Sequence, residues 1–158
     1  EHVLFKTIHK MKTALFFLLT LFTLGSLQAQ CPKKLKGYDY KWLKKNGYER
    51  EGTFKMDISK DDPGKNLFMA TADKEILIIM YANGGVNDLD GKLFDKFGNM
   101  LDSDTEPSDG GVAYLSCTAA TDLALTIRAE NHESNCESCS FCVKVWVYSR
   151  HISLSSGN

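Results

Sequence analysis

Residues 75–82, Glu75-Ile76-Leu77-Ile78-Ile79-Met80-Tyr81-Ala82, decide the fold. The apolar run is shorter than the about ten residues that a buried helix needs, and Asp73-Lys74 and Asn83-Gly84-Gly85 bound it as turns. A segment apolar on both faces predicts a strand at the centre of a sheet. Outward from it, the hydrophobic period is two. Phe54, Met56 and Ile58 alternate with Thr53, Lys55 and Asp57. Phe141, Val143, Val145 and Val147 alternate with Cys142, Lys144, Trp146 and Tyr148. Such alternation belongs to half-buried strands.

Further strands are expected at Leu67–Thr71, Leu89–Asp95, Met100-Leu101, Val112–Cys117 and Leu123–Ala129. Asp61-Asp62-Pro63-Gly64 is a turn, and Lys96-Phe97-Gly98-Asn99 closes a hairpin with Gly at the bulge position. Seven or eight short strands with no helix between them predict an all-β fold, an antiparallel β-sandwich over residues 51–150. Before it, residues 31–50 form a basic segment with a short helix. Asp39 is its expected N-cap, and Gly47 follows its end at Asn46. Tyr40, Leu43 and Trp42 are expected to press on the core.

The N-terminal residues predict export. Met11-Lys12 precedes an apolar run from Ala14 to Leu24, then Gly25-Ser26-Leu27-Gln28-Ala29-Gln30, which is the pattern of a signal peptide over residues 11–30. Residues 1–10 are expected to be upstream sequence, and 151–158 a flexible tail. A secreted or periplasmic location follows, with no membrane span in the mature chain, because the run falls short of the about 20 apolar residues a bilayer requires.

Removing residues 1–30 takes Lys6, Lys10, Lys12 and Glu1 from 19 basic and 20 acidic residues and leaves a net charge of −3. That balance argues against nucleic acid as a partner. The charge is unevenly placed, however. Residues 31–50 hold Lys33, Lys34, Lys36, Lys41, Lys44, Lys45 and Arg50 against Asp39 and Glu49, whereas residues 83–109 are acidic. Tyr38, Tyr40, Trp42 and Tyr48 lie in the basic segment. They are either a plug for the core or a surface that stacks on a sugar or a partner protein.

Five cysteines remain after export: Cys31, Cys117, Cys136, Cys139 and Cys142. An oxidising compartment favours two disulfides and one thiol left over. Strand ends expected to neighbour each other point to Cys117 with Cys139 or Cys142. Zinc is the competing use, since His132, Cys136, Cys139 and Cys142 supply one imidazole and three thiolates. Asp88, Asp90, Asp102, Asp104 and Glu106 are hard oxygen donors that suit calcium, against their default as solvated turn acids. No cofactor is otherwise implied.

Catalytic signatures are missing from the sequence. Of the histidines, His132 and His151 survive export, and neither accompanies a nucleophile, phosphate-loop or dinucleotide motif. A hydrolase using loop carboxylates is the enzymatic alternative.

The stretch Val86-Asn87-Asp88-Leu89-Asp90-Gly91-Lys92-Leu93-Phe94-Asp95-Lys96-Phe97-Gly98-Asn99-Met100-Leu101-Asp102-Ser103 resembles the bacterial pre-peptidase C-terminal domain family. Asp88-Leu89-Asp90, Phe94-Asp95 and Gly98 carry the likeness, which spans residues 50–148. The resemblance implies a jelly-roll-like sandwich that serves as a non-catalytic module, in a family where some members bind matrix polymers or calcium. The expected function is therefore an exported binding or accessory module for a carbohydrate, matrix protein or partner protein. A metal-stabilised structural protein is the further alternative.

Overall fold

A computed structural model describes residues 30–107 and 110–152, so residues 1–29, with most of the predicted signal peptide, and 153–158 of the predicted tail lie outside the described residues. Among the described residues one helix, α1 (Gly37–Lys45), is followed by eight strands: β1 (Glu49–Ile58), β2 (Gly64–Ala70), β3 (Lys74–Ala82), β4 (Val86–Phe94), β5 (Met100–Asp104), β6 (Val112–Ala119), β7 (Leu123–Ser134) and β8 (Phe141–His151). They form two four-stranded antiparallel sheets, ordered β1-β8-β3-β6 and β2-β7-β4-β5. Within them β1 pairs with β8, β2 with β7, β3 with β6 and β4 with β5. One long ribbon of paired strands wound over itself gives this order, which is that of a jelly roll.

The run that predicted a central strand is β3, held between β8 and β6. Ile76, Ile78 and Met80 enter the core between the sheets with Leu93, Leu125, Ile127, Val143 and Val145. The alternate residues Ile79 and Tyr81 point the other way, into a second cluster with Leu43, Tyr48, Trp146 and Tyr148. α1 thus covers the outer face of this sheet, and that cover is why β3 has no polar face. Of the three helix residues expected to press inward, Leu43 is buried, whereas Tyr40 and Trp42 are exposed.

Asp39 is not the cap. Lys36 occupies that position and makes no side-chain cap bond, while Asp39 lies in the first turn. Its buried carboxylate accepts from the Tyr81 hydroxyl on β3 and, at 3.4 Å, from the Tyr114 hydroxyl on β6. Burial raises its pKa, partly offset by Tyr114 and Lys36. The helix ends as expected, with Asn46 at the C-cap and Gly47 at φ 73°.

Most strands run further than the hydrophobic period reveals, β1, β7 and β8 among them. β1 begins at Glu49, β7 extends to Ser134, and β8 extends to His151, which pairs with Lys74. The predicted tail is accordingly anchored at its start, where the Ile152 amide donates to the Asp73 carbonyl at 3.0 Å. These extensions are built of polar and charged residues, with Ser149 and Asn131 buried among them, so no apolar alternation marks them.

Candidate binding groove

An open cavity lies outside the sandwich, between the N-terminal segment with α1 and the start of β1. Its volume is about 790 Å³, and Leu43, Tyr48, Trp146 and Tyr148 of the second apolar cluster line it. Around it stand Lys33, Lys34, Lys44 and Arg50 with one acid, Glu49, and Tyr40. Small-ligand sites occupy roughly 300–1,000 Å³, with an apolar lining and a few placed polar groups. Here the charged groups are mostly cations, and they crowd together in a chain whose formal net charge is −1.

Each sequence-predicted aromatic has a distinct place. Tyr40 lines the groove and is exposed. Trp42 is exposed and stacks on Tyr48, with ring centroids 5.7 Å apart. Tyr48 itself is buried, and the Arg150 guanidinium also lies over its ring at 4.7 Å. The Tyr48 hydroxyl donates to Glu75 Oε1 at 2.7 Å, and Arg150 contacts Glu75 Oε2 through Nε and Nη2, each at 2.7 Å. Desolvation and the bond to Glu75 push the Tyr48 pKa up to about 12, so the phenol stays a donor. Tyr48 is therefore a structural support of the groove, while Tyr40 and Trp42 offer ring surface to solvent. Tyr38 falls within α1.

The segment that carries Lys33 and Lys34 is fixed covalently just before them. Cys31 is bonded to Cys142 on β8, with Cα atoms 5.1 Å apart, and Cys136 is bonded to Cys139. Cys117 is free and half-buried, in place of the expected bridge to Cys139 or Cys142. Register explains the difference. Cys117 sits opposite Ile76, which is paired with Ser149, so Cys117 is level with Ser149 rather than Cys142. Seven residues of strand separate those levels, about 23 Å. Cys117 also packs against the core between the sheets, whereas Cys142 belongs to the opposite parity of β8. Burial, and then Asp102, pushes the Cys117 thiol up to about 11.

The candidate metal ligands are not brought together as expected. All three sulfurs of the zinc set are in disulfides, and His132 Nδ1 has Asp90 Oδ2 at 4.0 Å. Four of the five acids proposed for calcium divide between two strands, Asp88 and Asp90 on β4 and Asp102 and Asp104 on β5. Asp102 Oδ2 accepts the Ser116 amide and Asp104 Oδ2 the Tyr114 amide, each at 2.7 Å. Carboxylates two residues apart on β5 thus replace a missing strand along the free edge of β6. A bulge between Leu93 and Phe94, where Met100 and Asp102 are the paired residues of β5, sets their phase. Glu106 is exposed in the following loop.

Asp88 and Asp90 are buried on β4, where two register shifts against β7 surround Asp88. Asp88 Oδ1 has no hydrogen-bond partner among the described residues. Burial foremost, then the charge of Asp88, raises the Asp90 pKa. Asp90 lines a smaller recess of about 270 Å³ with Ser59, Glu130, Asn131 and His132. There Glu130 contacts Lys92 at 2.7 Å and Arg128 Nε at 2.7 Å, the latter a charge contact without hydrogen-bond geometry. Among the described residues, no group of three or more His, Cys, Asp or Glu is placed to hold a metal ion.

Sequence reasoning missed the Cys31–Cys142 link and the Asp102/Asp104 clasp. A signal existed for both: Cys142 shares parity with Trp146 and Tyr148, the face that α1 covers, and an Asp-x-Asp spacing matches alternate amides of a strand. No protein-family model matches the chain, and no curated protein matches it. Fold and groove together define its class, an eight-stranded jelly-roll sandwich whose N-terminal segment builds a basic, aromatic-lined groove on one outer face.

Proposed function

We propose that the chain is an exported, non-catalytic binding or accessory module, and that it takes an anionic ligand in the groove between α1 and β1. The observation that carries this reading is the ring of Lys33, Lys34, Lys44 and Arg50 around an aromatic lining, with Glu49 as its one acid. Cations so placed attract and orient a negative group, and exposed Tyr40 in the lining adds stacking surface. A matrix polymer or partner protein bearing carboxylates or sulfates has the matching chemistry. Two disulfides support an oxidising, extracellular or periplasmic compartment. Among the described residues no helix is long and apolar enough to cross a membrane. The non-catalytic reading is supported by the sulfur chemistry: four cysteines are bonded, and the thiol of Cys117 is held protonated by burial.

Kinship with the pre-peptidase C-terminal domains is part of the proposal. It is supported by the jelly-roll order, by Asp88-Leu89-Asp90 lying within β4, and by Gly98 at φ 85° in the β4–β5 hairpin.

Retention on immobilised dextran sulfate, with uncharged dextran as control, tests the function. Binding is expected to weaken steeply as salt rises and to vanish in Lys33→Glu/Lys44→Glu, whose fold should be intact because both side chains are exposed. Equal retention on dextran, or undiminished binding by the double variant, contradicts the assignment.

The unpartnered Asp88 oxygen favours one second reading, a hard cation held by Asp88 with Asp90. A melting scan with calcium and with a chelator tests it: a higher midpoint with calcium supports the site, and identical midpoints remove it.

A further inference from the structure

The sandwich has four edge strands, β1, β6, β2 and β5. An open edge offers its amides and carbonyls to any other strand, and proteins blunt such edges with charge, bulges, short length or a cover. β1 carries Glu49, Arg50, Glu51, Lys55 and Asp57 and is bulged between Arg50 and Gly52. β5 is five residues long and is itself bulged. The edge of β6 is covered by Asp102 and Asp104.

Among the described residues β2 has none of these devices. Gly64-Lys65-Asn66-Leu67-Phe68-Met69-Ala70 runs in unbroken register with β7, and Lys65 is its one charge. Leu67 is 74 % exposed and Met69 65 %. The geometry points to β2 as a self-association edge: two copies of the chain pair β2 with β2, antiparallel, about a two-fold axis.

The strand is complementary to itself. Full overlap sets Leu67 against Leu67 of the second copy, Lys65 against Met69, Asn66 against Phe68 and Gly64 against Ala70. No like charges oppose each other, and exposed residues meet exposed ones while core-side residues meet core-side ones. The sheet β2-β7-β4-β5 then continues as eight strands. A two-fold axis normal to that sheet leaves both α1 grooves on the same side of the pair. If the groove holds a repeating polymer, the dimer grips it at two points, which raises avidity without a new contact.

Sedimentation of the ligand-free chain tests this independently of what the groove binds. The expected mass is twice that of one chain. Leu67→Lys, which sets like charges face to face at an exposed position, should halve it with the circular-dichroism spectrum unchanged. Met100→Lys, on a different strand, should leave the dimer intact. In a Cys117→Ser background, Leu67→Cys should give a disulfide-linked dimer under oxidation. A monomeric wild type, a dimeric Leu67→Lys variant, dissociation by Met100→Lys or no cross-link through position 67 would each overturn the pairing.

Discussion

Sheet β1-β8-β3-β6 and sheet β2-β7-β4-β5 bury one core between them, yet their outer faces differ. The first is covered: Leu43 of α1 closes over Ile79, Tyr81 and Trp146, and Cys31–Cys142 ties the covering segment to β8. The second is open. Leu67, Met69 and Met100 are exposed, and Lys92, Glu130 and Arg128 form a charged network elsewhere on its strands. A covered face can be apolar on every residue of its central strands, and its cover creates a groove at its margin. An open face must alternate, and where it fails to, as on β2, it invites another strand.

The largest effect should come from unfastening the cover. Replacing Cys31 and Cys142 by Ser opens a loop of sequence separation 111 and should cost about 4 kcal/mol in a denaturant titration. A loss much below this breaks the claim that the covering segment stabilises its sheet. Next, Leu43→Ala should cost about 3 kcal/mol, because the side chain is buried. The matching change on the open face, Leu67→Ala, should stay within about 0.5 kcal/mol at a concentration where the chain is monomeric. Comparable losses at the two positions would erase the distinction between the faces.

The smallest effect is a pH dependence under the cover. Burial raises the Asp39 pKa, so its neutral form is favoured by folding. Its contribution is present below the ordinary value of 3.8 and is lost as pH rises through the raised folded-state pKa. Asp39→Asn keeps an acceptor for Tyr81 and should gain stability over wild type progressively across that interval. Glu75 has the opposite sign. The Tyr48 hydroxyl, and less strongly Arg150, lowers its pKa, so its contribution is present above 4.5 and is lost as pH falls. Parallel melting curves of Asp39→Asn and wild type across pH would contradict the role given to Asp39.

Much of the sandwich is legible in the residues themselves. The two-faced apolar run of β3, the alternation of β8 and the Gly98 hairpin announce their structure because local burial demands it. The covering role of α1 is half legible: Leu43 reads as inward, but Tyr40 and Trp42 read the same way and are exposed. What the sequence does not display is pairing across distance. Whether Asp102 and Asp104 bind a cation or the edge of β6 depends on which strand lies beside them. Whether Cys142 meets Cys117 or Cys31 depends on strand level and parity. The groove follows from these same long-range choices, so its cations are visible in the sequence as a charge excess and not as a ring.

Non-reducing peptide mapping of the purified chain tests the two-faced account most directly. It should recover a Cys31 peptide linked to a Cys142 peptide, with Cys136 joined to Cys139 and Cys117 alkylated as a free thiol. A link from Cys117 to Cys142, or Cys31 recovered as a free thiol, would contradict it, because the N-terminal segment would then have no covalent hold on the face it is said to cover.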